Sequence, residues 1–212
     1  MIRILIADDH AIVREGLKQI VAEENDMKVL GEASNANEMF DLLKKSKWTI
    51  VVLDINMPGK SGLEALKELK VLYPALPVLI LSMYTEEQYG LRAIKAGAAG
   101  YLKKVSAPDE LVKAIRKIVS GGRYISEPLA EKLASIFESK NRALPHETLS
   151  DREYQIMCRI ASGKSAEEIA EEISISINTV YSYRNRILEK MNMKSNVELT
   201  QYVIHNKLIE LE

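Results

Sequence analysis

The chain is 212 residues long, 47% hydrophobic and 28% charged, with 29 lysines and arginines against 30 acids for a formal net charge of −1. That length suits one large or two small domains at roughly 150 residues each, and the composition is that of a globular chain with a buried core. The even balance excludes bulk attraction to nucleic acid or a membrane, and the single cysteine, Cys158, excludes an intrachain disulfide and a multi-cysteine metal site. With no apolar run near the ~18 residues of a membrane span and no signal-peptide pattern, a cytoplasmic protein is expected.

In chain order, the first stretch, to about residue 121, alternates short apolar runs with helical patterns. The runs are RILIA (3–7), KVLGEA (28–33), TIVVLD (49–54), PVLILS (77–82) and GYL (100–102). Near-continuous Val, Ile and Leu suits parallel strands covered on both faces. Capping boxes or near relatives, Ser61 to Glu64, Thr85 to Gln88 and Ser106 to Asp109, open helices between them, and Gly31 and Gly97 punctuate. Five strands alternating with five helices predict a doubly wound α/β domain with a five-stranded parallel, flavodoxin-like sheet over residues 1–122.

Gly121-Gly122 closes the fifth helix. An amphipathic helix from about Pro128 to Ser139 follows, with Leu129, Leu133, Ile136 and Phe137 on one stripe, and then the polar, proline-broken KNRALPHET. Residues 123–148 therefore read as a linker carrying a helix. Beyond it, Ser150 to Glu153, Ser165 to Glu168 and Ser195 to Glu198 are capping boxes, and Ser176 to about Met191 is a further helical stretch. Four short helices without strands predict a small all-α domain over 149–212.

Ligands of an open α/β sheet bind beyond the carboxyl ends of its strands, where the strand order reverses. The first run ends in Asp8-Asp9, the third in Asp54 and the fourth in Ser82; Lys103-Lys104 follows the fifth. In a flavodoxin-like order strands one and three are neighbours, so three carboxylates converge. Three anions in one pocket need raised pKa values or a cation, and oxygen ligands select a small hard one, Mg2+ foremost. A carboxylate there is a potential nucleophile toward phosphorus, with Mg2+, a lysine and a hydroxyl to neutralise the phosphoryl oxygens. A lone strand-end Asp often only caps the next helix; complementary groups at four strand ends point further.

ADDH at 7–10, VVLDINMPGKSG at 51–62, LS at 81–82 and GYLKK at 100–104 resemble, in order and spacing, the receiver domain of two-component response regulators. The resemblance implies Asp54 as phosphoacceptor, Asp9 as a direct metal ligand, Asp8 as one acting largely through water, and the main-chain carbonyl of Asn56 as another. It implies Ser82 as a switch hydroxyl, Tyr101 as the aromatic that follows it inward, and Lys104 rather than Lys103 as the phosphoryl contact. Val105 departs from the family, where a proline is common, so a cis peptide is less assured there. A haloacid-dehalogenase-like phosphatase would want an Asp where Asn56 stands, and a flavodoxin would want a glycine- and hydroxyl-rich loop in place of ADDHAIV.

In the helical third, Val180, Tyr183, Ile187 and Met191 form the apolar stripe of one helix, and Asn178, Tyr181, Ser182, Asn185, Arg186 and Glu189 its opposite face. Small hydrogen-bonding residues with an arginine suit base edges and phosphates. Residues 149–212 hold 8 bases and 10 acids, yet between Asn178 and Lys194 four bases oppose only Glu189. The acids gather instead at Glu167, Glu168, Glu171 and Glu172, where they form a solvated face or a docking surface. LSDREYQIMCRIASGKSAEEIAEEISISINTVYSYRNRILEKMNMKSNVEL (149–199) resembles the helix-turn-helix of the NarL/FixJ/LuxR type. By that resemblance Tyr181, Ser182 and Asn185 meet bases, while Thr179, Arg184, Arg186 and Lys194 meet backbone; Asn178 and Lys190 lie on the same surface. The family commonly has Lys and His where this chain has Tyr181 and Tyr183, and Tyr183 reads as packing.

The whole reads as a response-regulator transcription factor rather than an enzyme acting on an external substrate. It implies a sensor histidine kinase and double-stranded DNA as partners, self-catalysed phosphotransfer and dephosphorylation, a homodimer on phosphorylation, and no membrane. Two rivals remain: a phosphoacceptor whose helical domain only docks or dimerises, and an Mg2+-dependent phosphatase.

Overall fold

The computed structural model describes residues 1–138 and 144–209. They divide into two compact units, Met1–Leu133 and Ala134–Glu212. The first holds β1 (Ile2–Ala7), α1 (Ala11–Ala22), β2 (Met27–Ala33), α2 (Ala36–Lys45), β3 (Ile50–Asp54), α3 (Gly62–Leu72), β4 (Val78–Ser82), α4 (Glu86–Lys95), β5 (Gly100–Lys103) and α5 (Ala107–Val119). All strands are parallel, in the order β2-β1-β3-β4-β5, as the alternation predicts.

β3 and β4 are buried at every position, while the edge strand β2 alternates. Successive side chains leave a strand on opposite faces, and this sorts the core. Ile4, Ile6, Ile50, Val52, Leu79 and Leu81 pack with Leu17 and Val21 of α1 and Leu111, Ile115 and Ile118 of α5. Burying one such side chain is worth about 1.5–3 kcal/mol, so this face of the sheet is strongly held. Gly31 lies inside β2 at a register shift rather than ending an element; a Cβ there would meet the Trp48 ring, which lies across the strand.

Two start signals read differently in three dimensions. Ser61 makes the full box with Glu64, but Ser106 makes no side-chain cap. It ends a short 3-10 turn, Lys104–Ser106, with helical dihedrals, and Pro108 sits in the first turn of α5. A residue already in helical conformation cannot present its hydroxyl to the amide three residues on. The linker helix, α6, runs Glu127–Glu138; Ser139 and the side chains of Ile136 and Phe137 fall outside what is described. So do residues 140–143 of KNRALPHET, whose remainder forms a 3-10 turn at Pro145–Thr148.

The second unit contains α7 (Asp151–Ala161), α8 (Ala166–Glu172), α9 (Ile177–Lys190) and α10 (Asn196–His205). Ile156, Met157, Ile169, Val180, Ile187, Leu199 and Val203 form its buried centre. On α9 the apolar stripe is Val180, Ile187 and Leu188 with Met191 at the C-cap; Tyr183 is only half-buried, which corrects its reading as a core residue. Its hydroxyl end favours the wet edge of the stripe, and the Arg186 guanidinium lies 6.0 Å from its ring centre. Ser195 caps α10, but Glu198 accepts from the Lys194 amide rather than closing a box.

Arg152 pins the turn between α8 and α9: its guanidinium donates to Gln155 Oε1 and to the Ile173 carbonyl, both at 2.7 Å, and it is buried. Arg152→Ala leaves that carbonyl without its donor, so the helical unit is expected to lose about 2–4 kcal/mol. Urea unfolding followed by circular dichroism checks this; an unchanged midpoint would remove Arg152 from the account.

Candidate functional site

β1 and β3 pair in register with Ala7 opposite Leu53, so the next residues, Asp8 and Asp54, emerge side by side where the strand order reverses. Both are almost wholly buried, at 1% and 2% exposure. Lys104, just past β5, reaches across to them: its Nζ lies 2.7 Å from Asp8 Oδ2 as an ion pair and donates to Asp54 Oδ2 at 2.8 Å. Asp9 stands at the rim. Asp8, Asp9, His10 and Asp54 can each place a ligand atom within 4.8 Å of the others.

Burial raises the Asp54 carboxyl to about 6; Lys104 opposes that shift and Asp8 reinforces it, while the Asn56 main-chain amide favours the carboxylate. For Lys104 burial works downward, but the Asp54 and Asp8 carboxylates hold its ammonium above the ordinary lysine value. One ammonium bridges the two buried carboxylates, and Asp9 adds a third at the rim, so hard oxygen donors outnumber the lysine cation. That donor set fits a hard divalent cation of the Mg2+ kind.

Ser82, at the end of β4, is fully buried and its Oγ accepts from the Tyr84 amide at 3.2 Å. Tyr101 is buried as well. Its hydroxyl donates to the carbonyls of Tyr84 (2.9 Å) and Thr85 (3.3 Å), and burial pushes its phenol well above the ordinary value. In this conformation the β4–α4 turn already satisfies the ring's hydroxyl in the interior. Lys104 is also already drawn in to Asp54.

His10 heads α1 without capping it through its side chain; its Nδ1 lies 2.7 Å from Asp9 Oδ1, and its amide donates to Asp8 Oδ1. Sequence reading missed Arg14. One turn into α1, it donates to the main-chain carbonyl of Asp8 at 2.7 Å and pairs with Glu32 of β2 at 3.4 Å, steadying the loop that carries the acids. The signal was there, as Arg14 is the lone base between Arg3 and Lys18.

On α9, Asn178, Tyr181, Ser182, Asn185 and Arg186 are exposed along one face. Asn178, Thr179, Ser182, Tyr183 and Arg186 line a shallow hollow of about 310 Å³. Thr179 Oγ1 shares a hydrogen bond with Ser176 Oγ at the helix start, and Arg184 donates to Asn196 Oδ1 at 2.7 Å. Lys190 is held by Glu153, 2.7 Å away, and Lys194 is exposed. Burial would raise the Glu153 carboxyl, but Lys190 and the Ser150 amide keep it below the ordinary range.

Two family models match. The response regulator receiver domain matches residues 4–116, and the luxR family of bacterial regulatory proteins matches 147–203. The response regulator UvrY of Escherichia coli K12 is 38% identical over 213 residues, covering 100% of this chain and 98% of UvrY. GacA of Pseudomonas aeruginosa is 35% identical, covering 99% of each. The chain belongs to the response regulators of the NarL/FixJ type.

Among solved structures, RcsB of Salmonella enterica serovar Typhimurium, bound to the promoter rprA in the presence of a phosphomimetic, is similar at a TM-score of 0.65 and 25% identity over 96% of this chain and 99% of that one. In this response regulator the α8 acids are exposed but partly engaged within their own unit: Glu172 pairs with Arg159 and Lys164, and Glu168 accepts from the Ser165 amide. Cys158 is a buried thiol of α7, and His146 is bonded to Tyr202 rather than placed in a ligand cluster. Among the described residues no helix is long and apolar enough to cross a membrane.

Proposed function

We propose that Asp54 accepts a phosphoryl group from a partner sensor histidine kinase with Mg2+, and that the modified protein dimerises on specific double-stranded DNA. The observation that carries this reading is the buried Asp8–Lys104–Asp54 bridge at the switch point of the sheet. An Asp54 oxygen attacks phosphorus as the P–N bond of the donor phosphohistidine breaks; the leaving imidazole takes up a proton and an acyl phosphate remains. Asp8, Asp9, Asp54 and the Asn56 carbonyl would hold Mg2+, which when bound neutralises charge on the phosphoryl oxygens. Lys104 and Ser82 receive those oxygens, and Tyr101 ties the β4–α4 turn to the result. The same groups would catalyse transfer and later hydrolysis, with no external substrate turned over.

Asn178, Thr179, Tyr181, Ser182, Arg184, Asn185, Arg186, Lys190 and Lys194 form the DNA surface in this reading. Lys190 has to leave Glu153 to reach a phosphate, which makes its share the smallest. We assign residues 1–122 to the receiver, 123–148 to the linker and 149–212 to the DNA-binding domain, acting in the cytoplasm. Similarity to promoter-bound RcsB supports the DNA partner.

The test treats the protein with acetyl phosphate and Mg2+ and reads intact mass and duplex binding together. Wild type should gain one phosphoryl group and bind selected duplexes more tightly, with affinity falling steeply as salt rises. A log–log salt slope near zero would favour the docking rival instead.

A further inference from the structure

Beyond α5 the chain turns back along the open edge of β5. Tyr124 forms a parallel bridge with Gly100: the Tyr101 amide donates to the Tyr124 carbonyl at 2.9 Å, and the Tyr124 amide to the Ala99 carbonyl at 3.0 Å. Ser126 then donates its amide to Glu86 Oε1 of α4 at 3.1 Å, and Leu129, 5% exposed, seats on Gly90 one turn further along α4. A Cβ at Gly90 would lie 2.9 Å from the Leu129 δ-carbon and 2.6 Å from Glu86 Cγ. A glycine inside a helix costs about 1 kcal/mol relative to alanine, and here it makes room for that leucine.

Tyr101 joins the two ends of this arrangement. Its backbone holds the returning segment, and its side chain holds the Tyr84–Thr85 turn from which α4 starts. We propose that residues 124–129 are a latch: docked on β5 and α4, they transmit the state of the Asp54 site to the linker, and displacement of the α4 start releases them. The inference rests on the phosphoacceptor reading above.

Hydrogen exchange of the full chain, with and without acetyl phosphate and Mg2+, tests it. Amides of residues 124–129 should exchange at least several-fold faster once the protein carries the phosphoryl group. Leu129→Ala, which removes the seat without touching the acidic site, should give the same fast exchange with no donor and should shift duplex binding of the unmodified protein toward the modified level. A phosphoryl mass gain with altered DNA binding but unchanged exchange at 124–129 would overturn the latch and leave the phosphoacceptor reading standing. No mass gain at all would overturn both.

Discussion

Replacing Lys104 with Met is expected to destabilise the first unit by about 3–5 kcal/mol near pH 8 in metal-free buffer, because it strands two buried carboxylates without their cation. The Lys104 side chain is 6% exposed and within 2.8 Å of both acids, so bulk water is poorly placed to take over its role. Asp54, already raised by burial and no longer opposed by Lys104, should hold its proton in the folded state to higher pH than in the unfolded chain. The loss therefore shrinks as pH falls through its folded value and is smallest near or below pH 4. Millimolar Mg2+ should recover part of it by mass action on the folded state. Urea midpoints at two pH values, with and without Mg2+, measure this; an equal loss in all four conditions would contradict the electrostatic account.

Replacing Asp54 with Asn is expected to act in the opposite direction. The Asp54 carboxyl lies at about 6 in the folded protein against an ordinary 3.8, so between those values the folded state holds a proton that the unfolded chain has released. Stability then falls as pH rises through this window, by up to about 3 kcal/mol for a shift of that size. Asp54→Asn should remove the fall, making the variant more stable than wild type at about pH 7.5 without metal, with the difference gone below about pH 4. Mg2+ should stabilise wild type more than the variant and narrow the gap. Thermal unfolding across pH in chelator and in Mg2+ reads both effects, and a variant less stable than wild type at neutral pH would show that the carboxylate is not strained by its burial.

Much of this arrangement was legible because short-range chemistry encodes it. Short unbroken Val, Ile and Leu runs bounded by breakers suit a sheet covered on both faces. Once strands one and three are neighbours, Asp8 and Asp54 have to meet. Ser61, Ser150 and Ser165 show their capping partners three residues on, and the structure forms each box.

What escaped was set by contacts distant in sequence or by backbone context. Ser106 has a box-like sequence but sits in a helical turn already begun. Tyr183 fits the helical period of α9, yet the stripe rotates toward Leu188 and leaves the ring at the rim. Arg14 gains its meaning from the Asp8 carbonyl and Glu32, and Gly90 from Leu129. No local pattern in 123–133 marks the pairing of Tyr124 with the β5 edge.

The most direct test of the central claim is to locate the phosphoryl group. After acetyl phosphate and Mg2+, borohydride should reduce an acyl phosphate to the alcohol, converting the carrying Asp to homoserine. The peptide from Trp48 to Lys60 contains a single carboxylate side chain, Asp54, so mass mapping of that peptide reads the site directly. The account predicts homoserine at Asp54, dependent on Mg2+, with no label elsewhere. Label on Asp8 or Asp9, or a mass gain that persists in Asp54→Asn, would contradict it.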